Sequence, residues 1–213
     1  KIELLLDLLE HEDGLVGVMA SEILTNIHTI AGEDLEKTIQ DCPAGMTKLL
    51  NRMPDRTREE VSNQAIILIR QLTSSNEEMK KTVAFNEGFE TLFGIMESEG
   101  GCKEAGAVVQ DCLQICTNVL DNSETCQRLF YGMGGGWHNR LLDFFSPMSV
   151  EQFSSRPESH GEGNEDEDMY GPVGPWYEQP GRLKCAILAL EAFSASMSTS
   201  NAYEKVLVNS VDE

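Results

Sequence analysis

Apolar residues follow two spacings that alternate along the chain. The first places them at offsets 0, 3, 4 and 7, which lie along one face of an α-helix. It occurs at Ile2, Leu5, Leu6 and Leu9; at Met46, Leu49, Leu50 and Met53; at Phe89, Leu92, Phe93 and Met96; and at His138, Leu141, Leu142 and Phe145. The first position of the fourth copy is polar, and the copies start 44, 43 and 49 residues apart. Such regularity predicts one helix that recurs.

The second spacing uses offsets 0, 4, 7, 8 and 11 and marks a longer helix. It occurs at Val16, Ala20, Ile23, Leu24 and Ile27; at Val61, Ala65, Leu68, Ile69 and Leu72; at Val108, Cys112, Ile115, Cys116 and Val119; and, more weakly, at Ala186, Leu190, Phe193, Ser194 and Met197. A further apolar anchor follows each copy, at Ile39, Val83, Phe130 and Val208. The anchors predict a short helix after each long one.

The recurring unit is therefore a long helix, a short helix and a third helix, repeated about every 45 residues. This period is typical of armadillo and HEAT repeats, and three helices per unit favour the armadillo type. One such unit cannot cover its own apolar face, so neighbouring units stack and share a core. The pattern predicts an all-α, armadillo-like, right-handed superhelical solenoid of three-helix repeats.

The number of residues between a third helix and the next long helix indicates where the chain contains an insert. It is 14, 15 and 19 residues, and then 48. The long interval contains SSRPESHGEGNEDEDMYGPVGPWYEQPG, which is rich in Gly, Pro and acids and has no helical period. We predict repeats over 1–146, a mobile acidic loop insert over 147–180, and the start of a further repeat over 181–213. The opening KIELLLDLLE lacks Met and is already helical, so we expect a fragment of a longer protein.

The charge of the chain narrows the classes of partner. Its 213 residues carry a formal net charge of -20. This charge argues against nucleic acid, and against an anionic membrane surface, as a direct partner. No run of about 18 apolar residues is present, so we expect no transmembrane segment. Six cysteines without a CxxC pair indicate free thiols in the reducing cytoplasm.

Two motifs raise the question of a metal or phosphate site. Cys112 and Cys116 are four residues apart on a helix, which is a metal-ligand spacing. They also occupy positions that are apolar in the other long helices, so we predict that they belong to the core. Cys126 and His138 do not complete a zinc spacing with them. The GMGGGW run at 132–137 lacks the GK[ST] ending of a phosphate loop and predicts a turn between helices.

The remaining polar residues form no catalytic group. The four histidines, His11, His28, His138 and His160, are dispersed, and we expect His28 to be exposed or to cap a helix. The acidic stretch Glu162–Asp168 lacks the spaced ligands of a calcium loop. We predict no catalytic, cofactor-binding or metal-binding residue and no cofactor, and therefore not an enzyme.

Several residues are candidates for partner contact, although the pattern alone assigns none of them. Trp176 and Tyr177 form either a short recognition segment or a segment that folds back on the solenoid. Side chains of the second unit either contact a partner or face solvent. These side chains are Arg58–Glu60, Asn63, Gln64 and Arg70–Gln71.

Three stretches carry a resemblance to a known family. They are MTKLLNRMPDR at 46–56, IRQLTSSNEEMKKTVAFNEGFETLFGIMESEGG at 69–101, and VVQDCLQICTNVLDNSETCQRLF at 108–130. They resemble the globular head of the general vesicular transport factors, the Uso1-type golgin tethers. The resemblance covers residues 1–146.

The resemblance implies an armadillo-like head in a protein that dimerises through a long coiled coil beyond this chain. It implies a cytoplasmic tether, peripherally associated with Golgi and vesicle membranes, that captures vesicles between endoplasmic reticulum and Golgi. The implied partners are a Rab-type small GTPase, SNAREs and other golgins. Catalysis is not implied.

A second function, that of an adaptor for extended basic peptides, also fits the sequence. The chain resembles, in its period, armadillo adaptors that bind extended basic peptides, and its acidity suits such cargo. Nuclear-import armadillos use an Asn and Trp ladder for this purpose. Trp137 and Trp176 do not lie on a repeated helix face, which argues against the ladder.

Overall fold

The computed structural model describes residues 1–42, 44–132, 136–142, 144 and 180–198, and all regular structure in this part is helical. The helices are α1 (Ile2–Leu8), α2 (Gly14–Asp41), α3 (Gly45–Arg52), α4 (Glu59–Leu72), α5 (Glu77–Phe85), α6 (Gly88–Ser98), α7 (Gly101–Glu104), α8 (Ala107–Leu120), α9 (Glu124–Gly132), α10 (Trp137–Leu142) and α11 (Pro180–Ser196). A 3₁₀ turn spans Arg56–Arg58. Phe145, Val208 and the predicted loop up to residue 179 lie outside the described residues.

The long helices form one continuous row. In chain order, α2 packs on α4, α4 on α8, and α8 on α11. The shorter helices pack behind this row, and the buried apolar side chains form a single core. Leu68 of the row and Leu92 of α6 are both fully buried. The predicted solenoid of helical repeats with a shared core is confirmed.

The first unit merges its long and short helices into α2. This helix has 28 residues, but Ala31 has the non-helical angles φ −144° and ψ 56°, so two helices meet there at a kink. His28 Nε2 lies 3.2 Å from Glu36 Oε1 across the kink. The expectation that His28 is exposed or caps a helix is wrong, because this contact holds its side chain in a half-buried position.

The apolar pattern of the long helix holds fully in α4 and in part in α2. All five predicted positions of α4 are buried, from Val61 to Leu72. In α2, the side chain of Ile23 is 44% exposed. The equivalent positions of the next two units, Leu68 and Ile115, are fully buried. Ile23 differs because α2 is the first long helix of the row, and no preceding long helix covers it in the described residues.

The pattern predicted for α11 holds only in part, since Ala186 is buried and Phe193 packs against the core, whereas two other positions face outward. Leu190, predicted to be buried, is 55% exposed, and Ser194 is also exposed. The helix instead buries small side chains against α8, at Cys185, Ala189, Ala192 and Ser196. Small residues allow the two helices to approach closely, and the larger apolar residues Leu183, Ile187 and Leu190 remain outside.

Buried polar side chains link each unit to the next. They occupy the position three residues before the short-helix anchor in all three units, at Glu36, Lys80 and Gln127. Glu36 Oε2 accepts a hydrogen bond of 2.7 Å from Nδ2 of Asn76, which caps α5. Lys80 Nζ donates to the Asp121 carbonyl at 3.0 Å, just before α9. Each contact reaches the link between long and short helix of the following unit.

Gln127 makes the equivalent contact with α11. Its Nε2 lies 2.8 Å from the carbonyl oxygens of both Leu120 and Ala195, and 2.9 Å from Ser198 Oγ. The Gln127 side chain is fully buried, so water does not compete for its hydrogen bonds. The contact therefore ties the end of α11 to the third unit.

The turn between short and third helix uses a left-handed residue followed by close packing. Ala44, Glu87 and Gly136 have φ of 59°, 57° and 60° at equivalent places before α3, α6 and α10. The next residue in the second unit is Gly88, where a Cβ atom would lie 2.4 Å from the Val83 carbonyl oxygen. Glycine is required there because any side chain would collide with the backbone.

Replacing Gly88 with Ala should lower the free energy of unfolding by about 1–3 kcal/mol, because the new methyl group forces the α5–α6 turn apart. Gly94→Ala is the matched control in the same helix. A Cβ at Gly94 meets nothing within 4 Å, so this variant should gain about 0.5–1 kcal/mol from helix propensity. Urea unfolding followed by circular dichroism measures both. Equal effects of the two substitutions would contradict the predicted collision.

Replacing Gln127 with Leu should lower the free energy of unfolding by about 1–3 kcal/mol, since it removes the hydrogen bonds that a fully buried amide makes to the ends of α8 and α11. Hydrogen exchange should show faster opening of α11 amides in this variant than of α4 amides, because units interact only with their neighbours. Arg128→Leu, at the adjacent exposed position, is the control. Unchanged protection of α11 in Gln127→Leu would show that this amide does not hold the helix.

Candidate interaction surface

The row of long helices presents a half-buried polar surface, which we call the long-helix surface. It consists of Asn63, Gln64, Arg70 and Gln71 on α4, and of Asp111, Gln114 and Asn118 on α8. The apolar stripes of α4 and α8 face the core, so the helical period leaves these polar positions on the opposite side. Four of the predicted partner-contact candidates lie on this surface.

An ion pair and hydrogen bonds hold four side chains of the long-helix surface, on α4 and α8. Arg70 forms an ion pair with Asp111. Asn118 Nδ2 donates to the Arg70 carbonyl at 3.0 Å and lies 3.4 Å from Thr73 Oγ1. Gln114 Nε2 in turn donates to Asn118 Oδ1 at 3.2 Å. The surface is therefore ordered before a partner arrives, which lowers the entropic cost of binding.

Arg56 anchors the start of α4. Its Nη1 donates to Ser62 Oγ at 3.0 Å and to Asn63 Oδ1 at 3.2 Å. Its Nη2 lies 2.7 Å from a carboxylate oxygen of Glu99, beyond the end of α6. Asn63, one of the candidates, is thus already held by its own unit.

Arg58, another candidate for partner contact, makes contacts within the fold at the same end of α4. Its Nη2 lies 2.8 Å from Asp55 Oδ2, and its Nη1 donates to the His11 carbonyl at 3.0 Å. The hydrogen bond from Thr57, followed by that from Arg58, holds the pKa of Asp55 below its ordinary value. Of the Arg58–Glu60 candidates, Glu59 and Glu60 are the exposed ones.

A groove of about 430 Å³ continues the long-helix surface between α8 and α11. Thr117 and Asp121 line it from α8, and Leu190, Glu191 and Ser194 line it from α11. It combines one exposed apolar side chain with carboxylate and hydroxyl groups. Such a shallow groove suits contact with another protein surface better than enclosure of a small molecule.

The cysteine pair belongs to the core, as predicted. Cys112 and Cys116 are fully buried in α8. Burial raises the pKa of Cys116 to about 12 and raises that of Cys112 well above its ordinary value. Burial also raises the pKa of Cys126. A thiol that stays protonated is a poor metal ligand and a poor nucleophile, so these residues act as small apolar side chains.

The other candidate residues are dispersed in the structure. His11 Nδ1 accepts a hydrogen bond of 3.1 Å from the Asp13 amide, and the His138 ring lies 5.7 Å from that of Tyr131. Within the described ranges, no three His, Cys, Asp or Glu side chains are placed to hold a metal ion. His160, Glu162–Asp168, Trp176 and Tyr177 lie outside these ranges.

The glycine run at 132–137 connects two helices, as predicted. Gly132 ends α9, Gly136 takes the left-handed conformation, and Trp137 begins α10. Residues 133–135 lie outside the described part of the chain. No phosphate-binding role is needed to explain the position of these glycines.

The helix α2 is long and apolar enough, by length and composition alone, to cross a membrane. A kink at Ala31 divides α2 into two helices. Leu24, before the kink, and Leu35, after it, are both buried. These contacts place α2 in the helical stack, where it packs on α1, α3 and α4.

Sequence reasoning found the helices that carry the surface but not the contacts that order it. Arg70 and Asp111 are 41 residues apart, and Arg70 and Asn118 are 48 apart. Both separations are close to the repeat period of about 45 residues, as expected for contacts between equivalent helices of adjacent units. The period alone does not tell which polar residues of adjacent units meet.

The stacked helical units define a helical-repeat protein of the armadillo-like class. Its sequence is 35% identical over 144 residues to the general vesicular transport factor p115 of Homo sapiens, which covers 68% of this chain and 15% of that protein. The chain belongs to this family, the general vesicular transport factors or Uso1-type tethers.

Other relatives agree with this assignment. Golgin candidate 6 of Arabidopsis thaliana is 40% identical over 113 residues, which cover 53% of this chain and 12% of that protein. The intracellular protein transport protein uso1 of Schizosaccharomyces pombe is 23% identical over 98% of this chain and 17% of its own length. The chain thus spans less than a fifth of each of these curated relatives. No protein-family model matches it.

Solved structures confirm the fold. The crystal structure of Uso1-2 superposes with a TM-score of 0.72 and 22% sequence identity, over 93% of this chain and 26% of that one. That of Uso1-1 gives a TM-score of 0.69 and 22% identity, over 97% of this chain and 29% of that one. The predicted family and the predicted all-α solenoid are both confirmed.

The buried thiol of Cys116 predicts a loss of stability at high pH. Its pKa is about 12 in the folded protein and near its ordinary 9.0 when unfolded, so the folded state favours the protonated thiol. This stability is fully present below pH 9 and is lost as pH rises from 9 toward 12. Between pH 7.5 and pH 10, the parent should lose about 1.4 kcal/mol more than Cys116→Ala does. Urea unfolding at the two pH values measures the difference.

The control for this experiment is Ile115→Val, which trims a neighbouring buried side chain without removing a titrating group. It should keep the parental dependence on pH. If Cys116→Ala and the parent lose equal stability between the two pH values, the thiol titrates normally and its burial has no electrostatic consequence.

Proposed function

We propose that this chain forms part of the non-catalytic interaction head of a vesicle-tethering factor in transport from endoplasmic reticulum to Golgi. In this proposal the long-helix surface binds a Rab-type small GTPase, and the head also contacts SNAREs and other golgins. The protein acts in the cytoplasm, peripherally associated with Golgi and transport-vesicle membranes. It works as a homodimer held by a coiled coil outside this chain.

The observation that supports this proposal most directly is the preordered long-helix surface in a member of a vesicular transport family. The curated relatives are named for vesicular and intracellular protein transport. A surface fixed by Arg70–Asp111 and by Asn118 offers many contacts over two units without a deep pocket. Extended surfaces of this kind are how solenoids recognise folded partners.

The order of the surface also bears on nucleotide selectivity. The switch segments of a small GTPase are ordered by the γ-phosphate and released on hydrolysis. A rigid surface complements one ordered conformation better than a mobile set of conformations, so we expect preference for the GTP form. The head itself needs no rearrangement in this scheme.

The alternative of an adaptor for extended basic peptides is less well supported. Such binding needs free amide and acidic side chains along the long helices. Here Asn118 already donates to the preceding unit, and Asp111 is already paired with Arg70. The basic-peptide function would require these contacts to break first.

A pull-down tests the proposal. The immobilised chain should retain the Rab-type GTPase of the endoplasmic reticulum-to-Golgi step when it is loaded with a non-hydrolysable GTP analogue, and should retain far less of the GDP form. Arg70→Glu should weaken retention about tenfold, because it reverses a charge at the centre of the surface. Equal retention of both nucleotide forms, or none, would reject GTPase binding.

Arg128→Glu is the matched control for Arg70→Glu. It makes the same charge change and likewise leaves two carboxylates side by side, because Arg128 is paired with Glu124 on α9. It lies away from the long-helix surface and should bind the GTPase like the parent. A lysine-rich peptide that binds the parent at low salt and not at high salt would instead support the adaptor function.

A further inference from the structure

A second surface lies on the side of the third helices. It is a cleft of about 390 Å³ between α6, α7 and α10. Its lining includes Phe93, Met96, Gly101, Lys103, Arg140 and Phe144. None of these residues belongs to the long-helix surface. The family assignment and the proposed GTPase contact give this cleft no role.

The floor of the cleft is apolar and rigid. The Phe93 ring stacks on the Trp137 ring, with centroids 5.3 Å apart and an angle of 12° between the planes. Met96 and the half-buried Phe144 extend the floor. On one side the wall is formed by Gly100 and Gly101, which take left-handed φ angles of 79° and 56°. Phe93 and Met96 are themselves buried, so the apolar ring that the cleft leaves accessible is that of Phe144.

The rim of the cleft is cationic, although the chain has a net charge of -20. The Arg140 guanidinium lies 4.9 Å from the centroids of both Phe93 and Trp137, which fixes its orientation. Lys103 is exposed and has no ion pair among the described residues. Arg182 of α11 donates from Nε to the Lys103 carbonyl at 2.8 Å, which brings a third cation close.

The acidic residue at the rim does not block an incoming carboxylate. Glu97 forms an ion pair with Arg140, but its side chain is 68% exposed. Exposed ion pairs contribute little free energy, so a partner carboxylate can replace Glu97 at small cost. The guanidinium keeps its place during this exchange, because the two aromatic rings hold it from below.

We propose that this cleft binds an acidic peptide segment of a partner protein. One apolar side chain of the segment packs against Phe144, above the buried Phe93 and Met96. Its carboxylates pair with Lys103 and Arg140 at the rim. Charge complementarity selects this partner, since a basic segment would be repelled at the rim and attracted elsewhere on this acidic chain. The cleft and the long-helix surface share no residue, so both partners can bind together.

Fluorescence anisotropy with a labelled peptide tests the proposal. The probe is the peptide GSEEFLGS, and its neutral counterpart is GSQQFLGS. The acidic peptide should bind the intact chain saturably and should bind about tenfold more tightly than the neutral one. Raising salt to about 0.5 M should weaken the acidic peptide alone, because the ionic contacts are at the surface.

Two charge reversals locate the site. Lys103→Glu should weaken the acidic peptide about tenfold, whereas Lys184→Glu, an exposed cation of α11 that does not line the cleft, should leave binding near the parental value. Phe144→Ala should weaken both peptides, because it removes part of the apolar floor. Absence of saturable binding, or equal effects of the two lysine reversals, would overturn the proposal.

A deletion of residues 158–168 tests whether the cleft binds a segment of another protein or the acidic stretch of this chain. Parental binding before and after the deletion supports a segment supplied by another protein. Binding that appears only after the deletion would mean that the chain's own acidic stretch fills the cleft, and would overturn the proposal. Neither result depends on the GTPase pull-down, because the substitutions leave Arg70 and its neighbours unchanged.

Discussion

No three-helix unit of this chain can keep its own apolar side chains out of water, and the rest of the structure follows from this constraint. Leu68 and Ile115 occupy the same position in successive units, and both are fully buried in helices that pack on the long helix before them. Ile23 has the same position and stays exposed, because α2 is the first of the described long helices. Burial at this position therefore measures the presence of a neighbour, and stability is a sum over adjacent units.

Apolar burial alone would allow the units to slide and rotate, since it has no preferred direction. Hydrogen bonds remove this freedom on both sides of the core. Glu36, Lys80 and Gln127 reach forward from the short helices, and Arg70 and Asn118 meet across the long helices. A carboxylate, an ammonium group and an amide thus form the contact to the following unit at one repeated position. The units share a buried polar side chain that is long enough to reach the next unit, whatever its charge.

This mixture explains what the sequence could and could not predict. The apolar period placed α4, α6 and α8 correctly, because their large side chains alternate clearly with polar ones. It held only in part in α11, where Ala189 and Ala192 are buried and the larger Leu190 faces outward. It also could not find the Glu36–Asn76 contact or the cleft beside Lys103. These depend on side chains whose chemistry changes from unit to unit, and such features leave no period to detect.

The same architecture constrains how the long-helix surface and the cleft can be contacted. A chain with a net charge of -20 is repelled by anionic lipid, which favours protein surfaces over a membrane surface as its direct contacts. The long-helix surface is held by its own hydrogen bonds, and the rim of the cleft by stacked rings. Neither surface has to become ordered on binding, so differences in affinity report the state of the partner and not that of the head. Because the two surfaces share no residue, occupation of one leaves the side chains of the other in place.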